Sequence, residues 1–136
     1  MILGSHVSAA GGLHTAIGRA VDVGCDCLQI FTKNNNRWHA KDLTKKDIDA
    51  WLDALGESNL THPIAHASYL INLASPKAEL FQKSIDALVV ELERANQLQL
   101  EGLVVHPGAF TDSSEEEGLD RIVDAVCEAL GRVGCC

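Results

Sequence analysis

Apolar and polar positions follow two alternating rhythms along this chain. Four short apolar runs come first in each pair: Ile2-Leu3-Gly4 running toward His6, Cys27-Leu28-Gln29-Ile30-Phe31, Pro63-Ile64-Ala65 ending on His66, and Leu103-Val104-Val105 ending on His106. Runs this short and nearly continuous suit strands buried on both faces. After each run, apolar residues recur three and four positions apart, the spacing of one helix face. The first such stretch follows Gly11-Gly12 and holds Leu13, Ala16, Ile17, Ala20 and Val21, with Gly24 placed as its stop. The second holds Ile48, Trp51, Leu52 and Leu55 behind a Thr44/Asp47 capping box and ends at Gly56. The third has Ser75 as its cap and Pro76 at the first helical position, then Phe81, Ile85, Leu88, Leu92 and Ala95. The fourth opens at Ser113-Ser114 and the Glu115–Glu117 run, acids that suit a helix N-terminus, and turns Leu119, Ile122, Val123, Val126 and Leu130 inward. Gly131 to Cys136 reads as a fraying tail.

Strands alternating with helices predict an α/β chain built on a parallel sheet with right-handed crossovers. Four βα units fit either an open four-stranded sheet or half of an eight-fold TIM-type barrel, a fold of about 250 residues. At 136 residues, with no low-complexity linker, residues 1–136 read as one unit without an internal boundary.

Composition adds limits. Hydrophobic residues make up 46% of the chain and aromatics only 4%, so the core must be built from Leu, Val, Ile and Ala. No apolar run approaches the roughly 18 residues that a membrane span requires. Met1 to His6 lacks the basic flank and long apolar stretch of a signal peptide, which points to the cytoplasm. The odd number of cysteines, five, fits reduced thiols, and Cys25-x-Cys27 lacks the second pair a zinc knuckle needs. The net charge of −8 argues against a general nucleic-acid binder, but it is unevenly spread. Residues 1–50 hold six Lys/Arg against five Asp/Glu, and residues 51–136 hold five against fourteen. The cluster Lys33, Arg37, Lys41, Lys45 and Lys46 is either a solvated helix entry or a patch able to track phosphates.

Every strand runs out into a polar, site-like sequence: Ser5-His6-Val7-Ser8, Thr32-Lys33-Asn34, His66-Ala67-Ser68-Tyr69 and His106-Pro107-Gly108. In parallel α/β folds those ends gather at one face, where active sites lie. His66 and His106 are suited to zinc as neutral imidazoles; either alone reads more readily as a hydrogen-bonded structural histidine, and their occurrence together at neighbouring strand ends favours metal. A catalytic zinc takes three protein ligands, and these are two. His6 is a third candidate, or a group standing behind the ligands or facing a phosphate. His14 falls within a helix, His39 and His62 look incidental, and Asp26 precedes its strand on the wrong side. Tyr69 is either core or an aromatic wedge against a base or sugar. Arg37 and Trp38 can contact phosphate or a stacked base, or serve packing. Gly11-Gly12 could bring backbone amides to an anion, but the full dinucleotide fingerprint is absent.

Four stretches together resemble the endonuclease IV family, the zinc-dependent apurinic/apyrimidinic endonucleases of base-excision repair. They are Gly4-Ser5-His6-Val7-Ser8-Ala9-Ala10-Gly11-Gly12-Leu13, Phe31-Thr32-Lys33-Asn34, His66-Ala67-Ser68-Tyr69-Leu70-Ile71-Asn72-Leu73 and His106-Pro107-Gly108, in the family's order and spacing. The resemblance implies an eight-stranded TIM barrel holding three Zn2+ ions at its C-terminal face. It implies that His66 and His106 are two zinc ligands and that Tyr69 enters the minor groove at the lesion. Thr32–Trp38 then corresponds to the DNA-recognition loop, with Asn34, Asn36 and Arg37 as DNA contacts. The family often places a gap-filling arginine where this chain has Asn36, with Arg37 one position later. Relatives often carry an aspartate at the position of Ala67. The implied substrate is double-stranded DNA containing an abasic site, cut 5′ to the lesion to leave a 3′-hydroxyl. The acidic and histidine ligands of the family's later strands have no counterpart here. The chain is therefore expected to be the N-terminal half of the barrel, lacking its C-terminal half and with little or no nuclease activity alone. Two other readings are a sugar isomerase or epimerase of the xylose-isomerase-like barrels and a non-catalytic remnant.

Overall fold

The computed structural model describes residues 1–134, so Cys135 and Cys136 lie outside the described residues. Eight elements alternate along the chain: β1 (Gly4–His6), α1 (Thr15–Asp22), β2 (Cys27–Ile30), α2 (Lys45–Gly56), β3 (Thr61–His66), α3 (Ala78–Gln97), β4 (Gly102–Val104) and α4 (Glu115–Val133). The strands form one parallel sheet in the order β1-β2-β3-β4. A doubly wound sheet reverses its strand order at a switch point. Here every strand is added on the same side of the last, as in a closing barrel. Of the two architectures the sequence left open, the structure has the half-barrel.

Strand alternation sorts the sheet into two faces. Leu28, Ile30 and Ala65 point toward the helices and are buried. The pairs His6↔Gln29, Gln29↔Ile64 and His66↔Val104 place those side chains on the opposite, inner face. Two apolar clusters lie under the helices. One joins Ala16, Ile17, Ala20, Leu28, Ile30, Trp51, Leu60 and Leu98, and the Trp51 indole N–H donates to the Leu98 carbonyl at 2.9 Å. The other joins Ala67, Ile71, Leu73, Ile85, Leu88, Ala125 and Ala129 between α3 and α4. Cys25, Cys27 and Cys127 are free thiols. Among the described residues no helix is long and apolar enough to cross a membrane.

Four expectations are corrected. Ser75 does not cap α3. Its hydroxyl accepts from the Lys77 N–H at 3.2 Å within a bend, Lys77 takes the cap position, and the helix begins at Ala78. The buried face of α4 holds Gly118, Ala125 and Ala129 beside the half-buried Ile122 and Val126, while Leu119 and Val123 are 56% and 60% exposed. Small residues win that face because α4 approaches its neighbours closely. A Cβ on Gly118 would lie 2.7 Å from the Phe110 Cβ. The expected tail from Gly131 is helical to Val133, where Gly134 closes α4 at φ 74°. Last, β4 stops at Val104, level with His66 at the end of β3, where the Ala67 N–H donates to the Val104 carbonyl at 2.8 Å. His106 therefore lies two residues beyond its strand. Both capping boxes, Thr44/Asp47 and Ser114/Glu117, are complete.

Candidate functional site

The C-terminal ends of the strands bring five rings to one patch on the inner face. His66 and His106 lie 5.0 Å apart between centroids, and His6 is 6.4 Å from His66. Tyr69 stands 5.3 Å from His66 and 6.0 Å from His106, with half its surface open to solvent. Phe31 fills the middle, 4.4 Å from His6 and 5.4 Å from both His66 and Tyr69.

Hydrogen bonds fix how these rings present themselves. The Nδ1 of His66 faces the Ala67 carbonyl at 2.8 Å, and a carbonyl only accepts, so Nδ1 carries a proton and the neutral ring has its lone pair on Nε2. That is the form in which imidazole binds a metal. The Gln29 amide donates to His6 Nδ1 at 2.8 Å, which leaves the proton on His6 Nε2. His6 is thus a hydrogen-bond donor in this arrangement rather than a lone-pair ligand. Burial, and secondarily the neighbouring His66, hold its pKa below the ordinary 6.5 and favour this neutral form.

His66 and His106 suit two positions of a zinc shell by donor chemistry and proximity. Among the described residues no group of three or more His, Cys, Asp or Glu side chains could hold a metal ion.

The Thr32–Trp38 loop lies beside the rings. Its Asn35 carbonyl accepts from the Ser68 hydroxyl at 2.7 Å and from the Tyr69 N–H at 3.3 Å, tying loop to corner. Within the loop, Asn34 Oδ1 accepts from the Asn36 N–H at 2.9 Å. Asn34, Asn36 and Arg37 are exposed. Trp38 turns back onto the α3 cluster beneath the Lys83 ammonium, 4.7 Å from its ring, and serves packing. A cleft of about 700 Å³, lined by His6, Ser8, Phe31, Lys33 and Asn34, opens between this loop and the turn after β1.

Two supports escaped sequence reasoning. Glu91 on α3 is 1% exposed. Its carboxylate accepts from the Ser68 N–H at 3.0 Å and the Thr32 hydroxyl at 3.1 Å, and it lies 3.2 Å from the Lys33 ammonium. Arg94, one turn on, donates to the Thr32 hydroxyl at 3.1 Å, to the Thr32 carbonyl, and to the Lys41 carbonyl at 2.9 Å. The available signal was a charge on an apolar stripe, since Glu91 falls between Leu88 and Ala95 at helical spacing. The second support is Asn72. Its side chain accepts from the Ala74 and Ala109 N–H groups at 3.1 and 3.0 Å and donates to the Ala109 carbonyl at 3.1 Å, pinning the segment that carries His106. Gly108 passes so close, at φ 110°, that a Cβ there would lie 2.0 Å from Asn72 Oδ1.

Comparison with known proteins agrees with this fold and places the chain in a family. A family model described as xylose isomerase-like TIM barrel matches residues 17–133. A probable endonuclease 4 of Geobacter sp. (strain M21) is 42% identical over 132 residues, which is 97% of this chain and 47% of that protein. Another, of Halothermothrix orenii, is 40% identical over 133 residues, 98% of this chain and 48% of that protein. The crystal structure of endonuclease IV from Thermus thermophilus superposes with a TM-score of 0.87 at 32% identity, covering 98% of this chain and 48% of that one. A D-psicose 3-epimerase, at TM-score 0.67 and 11% identity over 94% of this chain, shares the fold alone. The chain spans about half the length of the curated relatives it matches. With its one-directional parallel sheet and the matched residues taken together, the chain belongs to the xylose isomerase-like TIM barrel family, as a half-barrel similar to proteins named endonuclease 4.

Proposed function

We propose that this chain is the N-terminal half of a zinc-dependent abasic-site endonuclease acting in base-excision repair in the cytoplasm. The observation that carries the reading is the meeting of His66 and His106, 5.0 Å apart, beside an exposed Tyr69 and a loop tied to it. In this reading His66, through its free Nε2, and His106 hold zinc, which when bound supplies Lewis-acid stabilisation of a phosphodiester and an activated water. His6 offers its Nε2 proton to a phosphate oxygen. Tyr69 wedges at the lesion, while Asn34, Asn36 and Arg37 contact the strands around it. Arg37 takes the gap-filling role associated with the position of Asn36. The bond cut is the phosphodiester 5′ to the abasic site, leaving a 3′-hydroxyl. The remaining metal ligands come from the other half of the barrel.

The test uses the purified 136-residue chain, zinc titration, a duplex with one abasic site and a panel of ketoses. Zinc should bind weakly and lose affinity in both His66→Ala and His106→Ala. The chain should prefer abasic over intact duplex, cut it far more slowly than a full-length relative, and leave every ketose unchanged. Cutting at a full-length relative's rate would end the half-site idea, and turnover of a ketose would replace the nuclease reading with an epimerase.

A further inference from the structure

We propose that Glu91, assisted by Arg94, is a positioning residue for lesion recognition: from beneath the site it holds the Thr32–Trp38 loop and the Ser68–Tyr69 corner in one fixed relation. The inference rests on the reading above and adds to it the device by which two separate segments address one lesion.

A buried carboxylate costs free energy that a well-packed apolar side chain would not. On α3, Glu91 lies between the buried Leu88 and Ala95, with the buried Arg94 its one charged neighbour on that face among the described residues. Glu91 therefore contributes geometry more than it contributes stability. One of its oxygens takes the Ser68 N–H and the Lys33 ammonium, and the other takes the Thr32 hydroxyl. The Lys33 side chain is 4% exposed and also donates to the Arg37 carbonyl at 3.0 Å, so a basic residue of the recognition loop is spent on internal order. Arg94 grips the same loop at its start, Thr32, and beyond its end, Lys41. The Asn35 carbonyl then meets Ser68 and Tyr69 directly. One helix face thereby fixes where the loop begins, where it closes and how far it stands from the corner. The side chains left facing solvent, those of Asn34, Asn36, Arg37 and Tyr69, take their spacing from backbone that the clamp holds. Pre-organised recognition groups of this kind raise selectivity by removing the ordering cost from binding.

The experiment uses the 136-residue chain, its Glu91→Gln, Thr32→Val and Tyr69→Ala variants, and a fluorescent duplex with or without a tetrahydrofuran abasic analogue. Anisotropy gives the preference for abasic over intact duplex. Hydrogen–deuterium exchange follows residues 33–38, residues 67–70 and the mid-strand amides of β3. Glu91→Gln should cut the preference roughly tenfold and speed exchange in both segments together, leaving the β3 amides unchanged. Thr32→Val, nearly isosteric, should do the same to a smaller degree, and it decides the matter if the Gln variant does not fold. Tyr69→Ala should lose the preference with exchange in residues 33–38 unaltered. Survival of the preference in both clamp variants, or faster exchange in one segment only, overturns the positioning role. A wild-type chain with no preference for the abasic duplex sinks the functional reading instead, and the exchange data then report the clamp separately.

Discussion

His66 and His106 stand side by side on supports of opposite kinds. His66 ends a six-residue strand with a partner on each side, is 8% exposed, and leads into a corner anchored by a buried carboxylate. His106 is exposed, two residues past a three-residue strand that among the described residues pairs only with β3. Among the described residues its segment is held by the Asn72 side chain, by a backbone bond from the Leu73 N–H to the Pro107 carbonyl at 2.8 Å, and by the half-buried Val105 against the second cluster. Two similar side chains at similar strand ends thus differ in how firmly they are placed. The first is set by the core, and the second by a surface clamp.

The largest expected effect attacks the firmer side. Glu91→Ala leaves the Lys33 ammonium buried without its partner and strips acceptors from Ser68 and Thr32, which should cost roughly 3–5 kcal/mol in urea unfolding. A loss below about 1 kcal/mol, the scale of a single neutral hydrogen bond, would place the support of His66 elsewhere. Gly108→Ala attacks the weaker side. The positive φ and the approach to Asn72 should cost about 1–3 kcal/mol, with faster exchange confined to residues 105–110. Asn72→Ala removes three hydrogen bonds and should cost about 1–2 kcal/mol. Because it also removes the clashing oxygen, the Asn72→Ala/Gly108→Ala pair should cost less than the sum of the two. Additive costs would mean that Gly108 is required for its backbone angle and its approach to the Asn72 Cα, which a Cβ would meet at 2.8 Å, rather than for room beside the Asn72 amide.

The smallest effect concerns the helix starts that close the two loops. The Thr44 hydroxyl, then the Thr44 N–H, lowers the Asp47 pKa below 3.8, and the Ser114 N–H, then its hydroxyl, lowers that of Glu117 below 4.5. Both carboxylates bind protons more weakly folded than unfolded. Their contribution is therefore present above those ordinary values and disappears as pH falls through the depressed ones. Asp47→Asn or Glu117→Gln should flatten the acid side of a Tm–pH curve and leave its neutral plateau nearly level. An unchanged acid limb would show that other carboxylates set it.

Periodicity alone located all eight elements, since strands and helices bury apolar residues at spacings that hardly overlap. What it missed depends on distant partners. Glu91 sits inside a stripe whose neighbours read as core, yet the groups that make its burial tolerable, Ser68, Lys33 and Thr32, lie far away in sequence. In α4 two overlapping stripes compete. The larger side chains of Leu119 and Val123 suggested one face, and the close contact at Gly118, Ala125 and Ala129 selected the other. The pairing of His66 with His106 was legible because both end apolar runs. The tautomer of His6 was not, because Gln29 meets it only through strand register.

Strictly neighbour-to-neighbour pairing also bears on how the molecule is made. Within the described residues each strand pairs with the next in sequence, β1 with β2, β2 with β3 and β3 with β4. Each unit can dock on the preceding one as it leaves the ribosome, so synthesis and assembly run in the same direction.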